Sequence, residues 1–183
     1  MHFSEDELHL EVQNTLQVLR GLDYQPHLIG GVLRVAALGG TTADVDIALI
    51  EDSTDQLVLD VLLKGLGYNL QHVQDSKYAN ETNGFLADYR KGDINIILYS
   101  SEVYNNVREL VSSFDLSINK YYLDSDGVLC NDHFDGYVVK CTESSNHTHN
   151  LERITRFKTE YPDLDWTQPQ SVLDKESGFE VFS

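Results

Sequence analysis

Asp44 and Asp46 stand two residues apart at the head of an apolar run, Ile47-Ala48-Leu49-Ile50. On a strand, side chains at i and i+2 share a face. The pair therefore sets two carboxylates side by side, while Val45, Ile47 and Leu49 turn the other way into a core. Carboxylate oxygens are hard donors that suit Mg2+ or Mn2+. Two such ions about 4 Å apart can clamp the attacking oxygen, the α-phosphate and the leaving pyrophosphate when a nucleoside monophosphate is transferred. Alone, the same spacing describes any solvated strand edge. Upstream, Gly30-Gly31 opens a short helical segment through Val32, Leu33, Val35, Ala36 and Leu38. Bare amides at a helix start, backed by the positive end of its dipole, receive phosphate. Alone, the glycine pair is a tight turn; beside the two acids it forms the other half of a nucleotide site.

The elements that must position these residues can be read from periodicity. Ser4 and Glu7 form a capping box, and Leu8, Val12, Leu16 and Leu19 recur at helical spacing, so a helix is expected over 4–22. A break at Asp23–Pro26 leads to a strand at His27–Ile29, the Gly30-Gly31 turn and its helix, the Gly39-Gly40-Thr41-Thr42 loop, and a strand over Asp44–Ile50. A helix follows over Asp55–Leu66, then a strand near Tyr68 with a loop running to Asn83. Phe85–Tyr89 and Ile94–Tyr99 flank Arg90-Lys91-Gly92-Asp93 as a hairpin. A helix is expected over Glu102–Val111, a half-buried strand over Phe114–Leu123, a turn at Asp124–Gly127 and short strands within Val128–Val139. Ser144–Asn150 reads as a polar loop and Leu151–Tyr161 as a helix. The sum is an α+β architecture, a mixed sheet flanked by helices. Residues 1–161 are expected to form one domain, with 162–183 a tail packed on it through Trp166, Leu173, Phe179 and Phe182.

Composition narrows the partners. The 183 residues carry a formal net charge of −17 and 41% hydrophobic residues. That length and apolar share support a real core without staples, and no apolar run is long enough to cross a bilayer. Glu5, Asp6 and Glu7 occupy the place where an export signal would be basic, which points to a cytoplasmic protein. Cys130 and Cys141 lack the spacing of a zinc or redox pair and are expected as reduced thiols. An acidic surface repels a phosphate backbone and forfeits counterion release, so broad non-specific nucleic-acid binding is excluded. A small or locally gripped substrate fits, and so does an acidic surface that imitates nucleic acid.

Two patches carry a resemblance. Ile29-Gly30-Gly31-Val32-Leu33-Arg34, Leu38-Gly39-Gly40 and Ala43-Asp44-Val45-Asp46-Ile47-Ala48 are similar to the signature of tRNA nucleotidyltransferases and bacterial poly(A) polymerases, members of the DNA polymerase β superfamily. Phe114-Asp115-Leu116-Ser117-Ile118-Asn119, followed by Tyr122-Leu123-Asp124-Ser125-Asp126-Gly127, resembles a second stretch of the same catalytic head. The patches span about a quarter of the chain, in matching order. The resemblance implies a nucleotidyltransferase fold with Gly30 and Gly31 at the triphosphate, Arg34 and Asn95 among the nucleotide-binding residues, Asp44 and Asp46 on metal, and Asp115 near the nucleotide sugar or metal. There are departures: Ser113-Phe114 stands where the family has two arginines, and Val35 where an acid is usual.

The superfamily often adds a third carboxylate from a neighbouring strand as base. Asn95 stands at that place, so Asp93 serves instead or the site is weakened. Compact phage and plasmid nucleotidyltransferase-like proteins also resemble this chain in a late Arg153-Ile154-Thr155-Arg156-Phe157-Lys158 helix. Arg153, Arg156 and Lys158 there either meet the triphosphate or acceptor, or belong to a salt-bridged surface helix. The expected function is metal-dependent transfer of a nucleoside monophosphate from an NTP to a hydroxyl of an RNA end such as a tRNA 3′ terminus, of a protein, or of a small molecule. The alternative is a catalytically silent acidic binding protein that mimics nucleic acid or inhibits a host factor.

Overall fold

The computed structural model describes residues 1–74, 84–141 and 147–167. Five helices and nine strands follow in chain order among them: α1 (Leu10–Gly21), β1 (His27–Ile29), α2 (Gly31–Leu38), β2 (Val45–Glu51), α3 (Gln56–Gly65), β3 (Asn69–Val73), β4 (Phe85–Lys91), β5 (Ile94–Ser100), α4 (Val107–Ser112), β6 (Tyr122–Leu123), β7 (Leu129–Cys130), β8 (Val138–Lys140), α5 (His147–Glu160) and β9 (Asp165–Thr167). The main sheet has the order β1-β2-β5-β4-β3, with β2 and β5 parallel and every other pair antiparallel. It is the expected mixed sheet flanked by helices.

β2 sits between β1 and β5, and its centre is apolar on both faces because both are covered. Ile47, Ala48 and Leu49 have no exposed surface. Ile47 and Leu49 pack with Leu16 and Leu19 of α1, Leu33 of α2, Leu59 and Leu63 of α3, and Ile154 and Phe157 of α5. Ala48 belongs to a second cluster with Ile29, Phe85, Ile97, Tyr99 and Leu110. Alternation then places Asp46 on the Ala48 face, near the start of β2.

Four expected elements differ. The first helix is broken: a 3-10 turn spans Glu5–Glu7, and α1 begins only at Leu10. Ser4 makes no side-chain cap, whereas Glu5 pairs with Arg20 at 2.6 Å and Gln13 Nε2 donates to Leu8 O at 2.7 Å. The fourth helix starts at Val107, because the Asn106 side chain caps Glu109 N at 2.9 Å. Phe114–Leu123 is not one strand: Leu116 bridges to Cys141, Ser117–Asn119 form a 3-10 turn, and only Tyr122–Leu123 pair as β6. Its polar residues are buried with the apolar ones, Ser117 at 1% and Asn119 at 4% exposure. Each is satisfied by a distant donor, Lys140 N and Arg34 Nη1. The polar loop expected through Asn150 ends earlier, since α5 begins at His147. The loop after β3 at 75–83 and the tail positions Leu173, Phe179 and Phe182 lie outside the described residues. At the start of the tail, β9 pairs in parallel with β8. No described helix is long and apolar enough to cross a membrane.

Candidate active site

Gly30 joins β1 to α2 with φ +68 and ψ −134, a conformation open to glycine and strained for other residues. Its neighbourhood makes the same demand: a Cβ at Gly30 would stand 3.0 Å from Asp46 Oδ2. The bare bend and the second acid are therefore in contact. Gly31, the first residue of α2, is covered by Thr42, whose Oγ1 donates to Asp44 O at 3.1 Å. The loop before β2 thus ties turn and acids together.

Asp44 lies one residue before β2, half exposed, with Arg90 Nη2 donating to its Oδ1 at 2.6 Å. Asp46 is set deeper and accepts from Asn95 Nδ2 at 3.2 Å, the two being register partners on β2 and β5. Burial pushes the Asp46 carboxyl above the ordinary carboxylate range. The Asn95 bond opposes that rise, Asp44 reinforces it, and Arg90 and Arg34 oppose it. A cation placed between the two acids would relieve it.

Arg34 is 6% exposed, and among the described residues it makes no ion pair with a carboxylate. Nη1 donates to Asn119 Oδ1 at 2.6 Å, Nε donates to the Tyr161 hydroxyl at 3.3 Å, and the guanidinium lies 4.3 Å from the centre of the Phe157 ring. Nη2 comes within 3.5 Å of the Cβ position of Gly31. The last turn of α5 also holds the loop that delivers the acids: Glu160 Oε1 accepts from Thr41 N at 2.8 Å, and the Tyr161 hydroxyl donates to Gly39 O at 2.9 Å.

The remaining candidates divide. Asp93 is exposed in the β4–β5 turn, and its backbone carbonyl accepts from Val45 N at 2.8 Å. No group of three or more His, Cys, Asp or Glu placed to hold a metal ion occurs among the described residues. Asp115 is ion-paired with Arg153, both largely covered. Cys141 lies close to them, its thiol pushed up to about 11 by burial and then by Asp115, with Lys158 and Arg153 pulling the other way. The Arg156 guanidinium stacks on the Phe157 ring at 4.9 Å. The structure thus joins Gly30, Gly31, Arg34, Asp44, Asp46 and Asn95 in one site, and groups Asp115, Arg153 and Lys158 around Cys141.

Arg90, Asn119 and Tyr161 are site residues that sequence reasoning missed. A two-residue Gly92-Asp93 turn would have given the Arg90–Asn95 pairing seen in the hairpin. Nothing local announces that Asn119 and Tyr161 meet Arg34.

No protein-family model matches the sequence, and no curated protein matches it. Solved structures do. A tRNA-processing enzyme in its apo form superposes with a TM-score of 0.59 at 16% identity, over 98% of this chain and 49% of that one. The chain has the nucleotidyltransferase fold. A CCA-adding enzyme with ATP matches this nucleotidyltransferase fold at TM-score 0.58 and 18% identity, over 96% of this chain and 43% of that one. The Thermotoga maritima CCA-adding enzyme complexed with tRNA matches at 0.57 and 16%, over 97% and 45%. The nucleotidyltransferase-fold chain therefore spans about half the length of the solved chains it matches.

Proposed function

We propose that this chain is a metal-dependent nucleotidyltransferase that moves a nucleoside monophosphate from an NTP to a hydroxyl and releases pyrophosphate. The observation that carries the proposal is the contact between the bare Gly30 backbone and the Asp46 carboxylate. Phosphates received at the start of α2 would lie directly against the two acids. Asp44 and Asp46 are hard oxygen donors at one strand end, a set that fits Mg2+ or Mn2+. A bound ion would supply charge stabilisation at the phosphates. Arg34 Nη2, next to Gly31, adds a fixed donor for a phosphate oxygen, and Asn95 orients Asp46 through its amide.

The other roles extend from this corner. Asp93 is the candidate base, and Asp115 the candidate contact to the nucleotide sugar, with Arg153 holding its carboxylate. Arg156 and Lys158 are left to assist with charge at the acceptor. The names of the neighbours, tRNA-processing and CCA-adding enzymes, make a tRNA 3′ hydroxyl the first acceptor to test. The charge of −17 favours an end gripped locally over a long stretch of backbone. A protein hydroxyl is the second acceptor.

A second function class has its own support. Asn95, an amide that cannot take a proton, is the register partner of Asp46; this favours a silent member that binds through its acidic surface. A thermal-shift titration with each NTP and Mg2+ separates the two. Stabilisation in the wild type that disappears in Asp44→Ala/Asp46→Ala supports a nucleotide site; an unmoved melting temperature in both removes it. Label from α-labelled NTP appearing in RNA or protein, and absent with Asp46→Asn, establishes transfer.

A further inference from the structure

The side chains that cross the sheet beside the site are one acid, one amide and one permanent cation. Asp46 on β2 is in register with Asn95 on β5, and Asn95 with Arg90 on β4, so the three share a face. Two divalent ions about 4 Å apart bring four positive charges into one site and need bridging carboxylates on both sides. Among the described residues, Asp44 and Asp46 are the two carboxylates at the start of β2 on this face, with Asp93 exposed in the turn beside them, and each of the two already accepts from a donor. The Asn95 amide directs an N–H at Asp46 Oδ1 at 3.2 Å, the side from which a third acid would have offered a lone pair. Arg90 reaches Asp44 Oδ1 at 2.6 Å and is steadied by a bond from its Nε to Gly92 O at 3.0 Å. The guanidinium, charged at every accessible pH, thus occupies an Asp44 oxygen that a second ion would need. Two carboxylates are already set against two guanidinium groups, Arg90 and Arg34, which leaves little negative charge for a second divalent ion.

We infer that this centre holds one divalent ion, on Asp44 and Asp46, with Arg90 and Asn95 occupying the place of a second ion and of the acid that would hold it. The inference rests on the nucleotide-site proposal above and sets its metal stoichiometry. It also separates binding from transfer: the ion and Gly30-Gly31 can retain a triphosphate, while neither a second ion nor a carboxylate at position 95 acts on the incoming hydroxyl.

Mn2+ counting by electron paramagnetic resonance, with the full chain and a non-hydrolysable ATP analogue, tests this directly. The wild type is expected to bind one Mn2+ per chain, with the spectrum of an isolated ion. The double variant Asn95→Asp/Arg90→Gln is expected to bind two and to show the spin coupling of a close pair. Thermal melts of both without nucleotide establish that they are folded. Two coupled ions in the wild type overturn the inference and leave the nucleotide site standing. No Mn2+ in the wild type removes the nucleotide site and the inference together. One ion in both proteins overturns the assignment of Arg90 and Asn95 as the groups that exclude the second.

Discussion

Two arginines, one beside the Gly30 bend and one in the group around Cys141, are anchored in contrasting ways. Arg34 is held by a hydroxyl, an amide oxygen and an aromatic ring, all neutral. Arg153 is held by a carboxylate, Asp115. Neutral partners fix a guanidinium in place without cancelling its charge, whereas a carboxylate fixes and cancels at once. In a chain of net charge −17, that difference sets which cation the proposed site could offer to a triphosphate. Arg34 acts on Asp46 through its field, with no ion pair to it among the described residues, whereas Arg153 is paired directly with Asp115.

The largest effect is expected at Arg34. Arg34→Met leaves Asn119 Oδ1 and the Tyr161 hydroxyl without their donor in the interior, at a cost of about 2–4 kcal/mol in urea unfolding. It should also remove most of the melting-temperature rise produced by NTP and Mg2+. If that rise persists, Arg34 is a packing residue and the contrast with Arg153 fails.

Gly30→Ala comes next, at about 1–3 kcal/mol from backbone conformation, in addition to its contact with Asp46. Calorimetry with and without nucleotide should show the ligand response falling with stability. Arg153→Met should cost roughly 1–2 kcal/mol, between the limits for exposed and buried pairs, and weaken the nucleotide response less than Arg34→Met does, through the Asp115 carboxylate it holds. A lost response there would move the triphosphate toward α5 and reverse the contrast.

The smallest effect is one of pH. The Asp46 carboxyl is raised in the folded chain, so it holds its proton more tightly folded than unfolded. Its contribution to stability is present at low pH and is lost as pH climbs from about 4 through the raised value. Asp46→Asn removes that loss. Without metal, the variant should melt higher than the wild type at neutral pH and converge with it in acid, while losing the nucleotide response. A wild type that melts higher than Asp46→Asn at neutral pH would mean that burial of this carboxyl is already compensated.

What could be seen in the sequence was what lies close along the chain. Gly30-Gly31 and Asp44-Val45-Asp46 are each a few residues long, and strand alternation with glycine chemistry was enough to place them. The strand cores Ile47–Leu49 and Ile96–Leu98 were equally visible, since apolar residues on both faces of a central strand leave little choice. Ser117 and Asn119 misled the alternation because polarity was taken for exposure; their partners, Lys140 and Arg34, lie 23 and 85 residues away. Ser4 failed as a cap because Arg20 draws Glu5 aside, a contact across 15 residues. Arg90 went unnoticed for a similar reason, meeting Asp44 across 46 residues through the hairpin register. Arg153 was noticed, but no local pattern showed that Asp115 would claim it.

The grip of α5 on the loop ahead of Asp44 has a consequence for how the protein matures. Thr41 and Glu160 are 119 residues apart, and Gly40, at φ +92, has no room for a side chain beside Glu160 and Tyr161. Bringing such distant segments together costs chain entropy before any contact compensates it. The acids can reach their final setting only once nearly the whole chain has collapsed, so a nascent or clipped molecule would carry every motif and still lack a finished pocket.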